Sequence, residues 1–140
     1  MKAIYTLVFV TLILVHVTNC FGQVAVIAHK DVKQSSIDKE VVEKIYKLLK
    51  KNWDDGNKIV VFDLKDNDNL EDSFYSYLGE NHNKMKKLWL KKQLTGEGTA
   101  PKAFGSENAI LEKVAETDGA IGFISAAKVT DAVQVLFEIK

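Results

Sequence analysis

The stretch of sequence that decides the fold is SENAILEKVAETDGAIGFIS, residues 106–125. Ser106 can cap a helix through its hydroxyl, and apolar residues then recur at helical spacing to about Glu116. Residues 119–125, GAIGFIS, follow within a short turn and form a compact apolar run typical of a buried strand. A helix that leads directly into a buried strand indicates an α/β protein.

The same alternation continues outward from this stretch. Further strands are predicted at three apolar runs: residues 23–29 (QVAVIAH), 58–64 (KIVVFDL) and 132–139 (AVQVLFEI). Further helices are predicted after Ser36, which we expect to be an N-cap, and over residues 70–78 and 82–94. The first of these helices should bury one face, made of Ile37, Val41, Ile45, Leu48 and Leu49. Strands that alternate with helices indicate a mostly parallel sheet flanked by helices.

Residues 1–22 predict a secretory signal peptide. Lys2 is followed by an almost wholly apolar run over residues 4–17, shorter than the ~20 residues that span a bilayer. Cleavage after Gly22, which we favour, would leave residues 23–140 as one exported domain. Two alternatives stay open: lipidation of Cys20, which would tether the domain to a membrane, and an uncleaved N-terminal anchor.

The composition limits what this domain can do. Cys20 is the only cysteine, so the exported domain would have no disulfide and no thiol chemistry. The 19 basic residues are all lysines and are balanced by 19 carboxylates, which argues against nucleic-acid binding. Because arginine is absent, no bidentate guanidinium can bind a carboxylate or phosphate.

No pattern in the sequence predicts catalysis, a metal site or a cofactor. His29 and His82 lie far apart and outside any metal-binding spacing such as HExxH. No G-x-S-x-G nucleophile motif occurs in the sequence. We interpret an acidic cluster after the second strand as helix caps and solvated charges; its members are Asp66, Asp68, Glu71 and Asp72. We therefore predict a protein that is not an enzyme.

The sequence contains several positions at which an anion could bind. In three places a loop leads into the N-terminus of a predicted helix: residues 35–36, 66–69 and 105–106. Backbone N–H groups and the helix dipole could bind an anion there. The loop at residues 95–99 adds two threonine hydroxyls and flexible backbone. Simple helix capping and a surface turn are the alternative interpretation at each place.

Six segments, taken in order, resemble the phosphate-binding proteins of ABC transporters. The most specific is VAETDGAIGF, residues 114–123, which is similar to V-A-x-T-x-G-A-I-G-Y in that family. The other five are SIDKEVVEKIY (36–46), WDDG (53–56), KIVV (58–61), FY (74–75) and LTGEG (94–98). The resemblance as a whole extends over about residues 24–135.

This resemblance implies a single lobe of a type II periplasmic-binding-protein-like fold and an extracytoplasmic solute-binding function. Full-length relatives hold their ligand between two lobes, so one lobe would offer half a cleft. Tight capture would then need a homodimer or an envelope protein partner. A small oxyanion is the implied ligand, and we expect it at five residues: Ser35, Ser36, Thr95, Gly96 and Thr99.

One departure from the family keeps a second function open. In full phosphate binders the loop after the second strand reads approximately R-x-D-G-S-G-T, whereas here residues 65–71 read KDNDNLE. The arginine is absent, and Asp68 stands at the serine position, where a carboxylate would repel a phosphate by a few kcal/mol. The alternative is a periplasmic interaction, adaptor or sensory accessory domain that has lost phosphate binding.

Overall fold

The structure is a computed structural model that describes residues 23–140. Its elements, in chain order, are β1 (Val24–Ala28), α1 (Lys39–Tyr46), β2 (Val60–Leu64), α2 (Asp68–Tyr77), α3 (His82–Leu94), β3 (Lys102–Phe104), α4 (Glu107–Glu116), β4 (Ala120–Ser125), a 3-10 turn (Ala126–Lys128) and β5 (Gln134–Ile139). The predicted signal segment, with Cys20, lies outside the described residues. Among the described helices, none is both long enough and apolar enough to cross a bilayer.

The five described strands form one sheet in the order β3-β2-β4-β1-β5. β2 runs parallel to both β3 and β4, whereas β1 runs antiparallel to both β4 and β5. Four strands therefore share one direction and β1 alone is reversed. The predicted α/β class, with a mostly parallel sheet flanked by helices, is confirmed.

An aromatic cluster joins the helices to the sheet. The rings of Phe74 on α2 and Phe123 on β4 are stacked with centroids 3.9 Å apart, and Tyr46 on α1 meets Phe74 edge-on at 4.8 Å. The Tyr46 hydroxyl donates to the Phe62 carbonyl of β2, and the indole of Trp89 on α3 donates to the Tyr46 carbonyl. Burial of these large rings supplies much of the packing that fixes α1, α2 and α3.

Two glycines of the GAIGF stretch allow close packing that an added Cβ would disturb. A Cβ on Gly122 would lie 2.8 Å from Cγ2 of Ile110, because α4 rests directly on β4 there. Gly119 has φ +72°, and a Cβ on it would lie 2.3 Å from the Lys58 carbonyl oxygen. The Trp53 indole donates to the Gly119 carbonyl at 3.0 Å, which joins the turn before β2 to the start of β4.

Three details differ from the sequence prediction. α1 is capped by Asp38, not Ser36, because Ile37 is drawn into a backbone hydrogen bond with Leu136 of β5 before the helix begins. Leu48 adopts φ +59° after the helix ends, so it turns inward while Leu49 is 63% exposed instead of buried. β3 was not predicted, since its three residues are defined by pairing with β2.

Candidate functional site

A cleft of about 400 Å³ opens beside the start of β2. Its floor is apolar and includes Leu48, Ile59 and Phe62, which are all buried. Thr99 lies on its wall, within the loop that joins α3 to β3. Four lysines line the opening, and we call the whole feature the lysine-rimmed cleft; they are Lys50, Lys51, Lys58 and Lys102.

The four lysines differ in how their charge is balanced. Lys50 pairs with Asp54 at 2.8 Å, and the Lys51 ammonium donates to the Glu97 carbonyl oxygen. Among the described residues, no ion pair forms at Lys58 or Lys102. Lys102 instead sits 5.3 Å from the centroid of the Phe104 ring. The cleft therefore carries positive charge over an apolar floor, which suits an anionic ligand.

Of the five predicted ligand residues, only Thr99 lines this cleft. Thr95 and Gly96 cap the end of α3: the Thr95 hydroxyl donates to the Lys91 carbonyl at 3.0 Å, and Gly96 has φ +73°. A helix C-terminus presents carbonyl oxygens and a partial negative charge, so these two positions favour cations over anions.

Ser35 and Ser36 lie elsewhere, exposed in the segment between β1 and α1. The neighbouring Ile37 N–H donates to the Leu136 carbonyl of β5 at 3.0 Å, so this segment follows the outer edge of β5. The first turn of α1 is satisfied by the Asp38 carboxylate, which accepts from the Val41 N–H at 2.9 Å. The structure therefore does not bring these serines to the lysine-rimmed cleft.

A buried polar network under α2 and α3 was missed by sequence reasoning. Asp63 on β2 accepts from the Tyr75 hydroxyl at 2.6 Å and lies 2.8 Å from His82 Nε2. His82 Nδ1 lies 2.8 Å from Oε2 of Glu71, whose other oxygen has no hydrogen-bond partner among the described residues. The sequence interpretation of Glu71 as a solvated charge is therefore wrong. A polar residue inside the apolar run KIVVFDL was the available signal.

Opposing effects set the protonation of this network. Burial alone would lower the pKa of His82, but the hydrogen bond to Asp63 and the charges of Asp63 and Glu71 outweigh it, so its pKa is raised. Burial raises the pKa of Tyr75 well above its ordinary value, and the charge of Asp63 adds to this effect. We interpret the network as a histidinium held between two carboxylates.

Potential metal-ligand atoms of His29, Asp31 and Asp118 lie within 4.8 Å of one another. Asp31 is 2.6 Å from Nδ1 of His29, whereas Asp118 is 3.6 Å from Nε2. Asp31 also accepts from the Gly119 N–H at 3.2 Å. Because the carboxylates face different ring nitrogens, the trio is better suited to bridging β1 and β4 than to enclosing one ion.

Comparison with known proteins shows the family of this chain. A family model described as a PBP superfamily domain matches residues 13–136. The chain belongs to the PBP superfamily. A search of curated proteins finds no match.

Several solved structures share the fold of this chain. One is a Clostridium perfringens protein with bound phosphate, a candidate phosphate ABC transporter substrate-binding protein (21% identity, TM-score 0.67, 81% of this chain and 43% of that one). Another is an ABC-type phosphate transport receptor from Vibrio cholerae (21% identity, TM-score 0.64, 81% and 44%). A third is PstS from Borrelia burgdorferi (15% identity, TM-score 0.58, 82% and 47%). The chain thus spans less than half the length of each.

The carboxyl edge of the sheet is where open α/β folds commonly bind ligands. In this PBP-superfamily chain α2 and α4 begin there, after β2 and β3. Asn67 accepts from the Leu70 N–H at 3.4 Å, and Ser106 accepts from the Ala109 N–H at 3.1 Å, so the chain caps both helices itself. The side chain of Asp68 lies outside what the structure describes, and its predicted repulsion of phosphate stays a prediction.

Proposed function

We propose that this member of the PBP superfamily is an exported, non-enzymatic solute-binding lobe that binds a small oxyanion in the lysine-rimmed cleft. The observation that carries the proposal is the position of Lys58 and Lys102, which line a cleft without an ion-pair partner among the described residues. Export rests on the signal peptide predicted from residues 1–22.

The surroundings of these lysines favour an anion. An apolar floor keeps water away from one side of the cleft and so strengthens the attraction between an ammonium group and an anion. Lysine, in a chain without arginine, must supply that charge. The Thr99 hydroxyl adds a hydrogen-bond donor on the wall.

The resemblance to phosphate-binding proteins supports an oxyanion as the ligand class. The Clostridium perfringens structure holds phosphate, and the Vibrio cholerae relative is a phosphate transport receptor. The proposal keeps Thr99 from the predicted ligand residues and adds Lys58 and Lys102 to it. Ser35 and Ser36 define the competing location, on the segment between β1 and α1.

Calorimetric titration of the protein with phosphate and with sulfate tests the proposal. Lys58→Gln combined with Lys102→Gln should weaken binding strongly, because both unpaired charges are removed. Lys30→Gln combined with Lys33→Gln is the matched control. These exposed lysines precede Ser35, and replacing them removes the same net charge. We expect the control to bind like the unchanged protein.

Two results would contradict the proposal. Absence of binding heat with millimolar phosphate and sulfate would exclude an oxyanion as the ligand. It would favour the alternative function, an interaction, adaptor or sensory accessory domain. Loss of binding in the Lys30/Lys33 variant, with retention in the Lys58/Lys102 variant, would place the ligand beside Ser35 and Ser36.

A further inference from the structure

The outward face of α3 exposes two leucines one helical turn apart. Leu90 is 58% exposed and Leu94 is 78% exposed, which makes Leu94 the most exposed of the large apolar side chains in the described residues. The opposite face of the helix is anchored by Met85 and Trp89, which are buried in the core. Leu90 and Leu94 thus project away from the domain and contribute little to its packing.

The charge on α3 is entirely positive. Residues 82–94 contain no aspartate or glutamate and five lysines: Lys84, Lys86, Lys87, Lys91 and Lys92. Only Lys92 among them forms an ion pair within the described residues, with Glu97 at 3.5 Å. Helical spacing puts Lys87 and Lys91 beside Leu90 and Leu94, and we call these four residues the α3 outer face.

We propose that the α3 outer face docks this lobe on an anionic lipid bilayer. The lysine ammonium groups would meet lipid phosphates, while Leu90 and Leu94 enter the boundary between headgroups and acyl chains. Basic helices that lie in the interface combine these two contributions, buried apolar area and attraction to anionic lipid.

The same observations argue against the other occupants of this face. A symmetric contact between two copies would oppose α3 to itself and bring Lys87 and Lys91 of one copy close to those of the other, which would repel. Two leucines would also supply only a small part of the roughly 800 Å² that each partner buries in a stable protein interface. A bilayer needs only shallow insertion and supplies a continuous negative surface. An acidic protein partner is therefore an outcome of the test, not the proposal.

This proposal is independent of oxyanion binding. Of the two cleft lysines, Lys58 precedes β2 and Lys102 begins β3, and none of the residues on the α3 outer face lines that cleft. Each set can therefore be changed without touching the other.

Vesicle co-sedimentation of the full chain tests the docking. The protein is mixed with vesicles of phosphatidylcholine alone and of phosphatidylcholine with phosphatidylglycerol, at low and raised salt. Any apolar segment elsewhere in the chain would bind both kinds of vesicle, so the proposal concerns the difference between them. We expect binding to be stronger on the anionic vesicles and to fall as salt is raised.

Three variants assign that difference to α3. K87Q/K91Q should weaken binding to anionic vesicles by roughly tenfold or more, and L90S/L94S should also abolish most of it. K30Q/K33Q, the charge-matched control, should bind like the unchanged protein. In addition, the fluorescence of L94W should shift to shorter wavelength on anionic vesicles and not on phosphatidylcholine.

Several results would overturn the proposal. Equal binding to both vesicle types, or unchanged binding of both K87Q/K91Q and L90S/L94S, would exclude the α3 outer face. Binding lost only in K58Q/K102Q would assign lipid contact to the cleft. A soluble acidic protein that shifts L94W fluorescence where anionic vesicles do not would replace the bilayer as the partner.

Discussion

His82 Nε2 lies 2.8 Å from Oδ2 of Asp63, and both side chains are buried. This contact joins the first residue of α3 to the carboxyl-terminal part of β2, while Glu71 on α2 approaches the other ring nitrogen. Tyr75 stacks on the imidazole with ring centroids 4.8 Å apart. One side chain thus connects α2, α3 and β2, which makes it a sensitive point for stability.

Replacing His82 by alanine should destabilise the fold by about 3–5 kcal/mol, because two buried carboxylates then lose their partner. Urea unfolding followed by circular dichroism measures the loss. His29→Ala is the matched control, since its carboxylate partners Asp31 and Asp118 are exposed; it should cost about 1 kcal/mol or less. Equal losses in the two variants would contradict a buried histidinium.

The pH dependence of stability follows from the same contact. The pKa of His82 in the folded protein is raised above its ordinary value of 6.5. Its contribution to stability is therefore complete below that ordinary value and is lost as the pH rises through the raised folded value. Unfolding free energies should fall as the pH rises above 6.5, and the His82→Gln variant should lack that fall. A persistent fall in the variant would assign it to another group.

The glycine at the start of β4 should be intolerant of substitution. Gly119→Ala adds a Cβ only 2.3 Å from the Lys58 carbonyl oxygen, so the backbone must move. Gly96→Ala is the control, because Gly96 also has positive φ but has open space where the Cβ would lie. We expect the control to lower the free energy of unfolding by about 1–2 kcal/mol. Gly119→Ala should lower it by clearly more in the same urea experiment. Similar losses would show that close packing is not the constraint.

The sequence predicted elements whose cause is local. The bounds of α3, residues 82–94, were predicted to the residue, and the Ser106 cap of α4 is confirmed by its hydrogen bond to Ala109. Features that depend on contacts between residues far apart in the chain could not be predicted from the sequence. The start of α1 depends on the pairing of Ile37 with Leu136, and the reversed direction of β1 leaves no mark on its apolar run.

The candidate site was predictable only in part, for the same reason. Thr99 could be selected because its loop is rich in glycine and hydroxyl groups. Lys58 and Lys102 are far apart in the sequence and line the same cleft because β2 and β3 pair side by side, with Phe62 opposite Lys102. The contact between Asp63 and His82 likewise depends on how α3 packs under α2. Residue spacing along a single chain does not encode either proximity.

Removal of charge from the cleft should also change how binding depends on salt. If Lys58 and Lys102 attract the oxyanion, phosphate affinity should fall as ionic strength rises, because an exposed cleft is screened. The Lys58→Gln/Lys102→Gln variant should show a weaker salt dependence as well as lower affinity. Calorimetric titration at several salt concentrations provides both quantities. A variant with unchanged salt dependence would place the ligand elsewhere.

The most direct measurement of the central claim is an NMR titration of the isotopically labelled protein with phosphate. If the lysine-rimmed cleft is the site, the largest amide shift changes should occur at Gly98, Thr99 and Ala100, which all line it. The account predicts that result, with loss of the changes in the Lys58→Gln/Lys102→Gln variant. Largest changes instead at Ser35 and Ser36, or at the starts of α2 and α4, would contradict it.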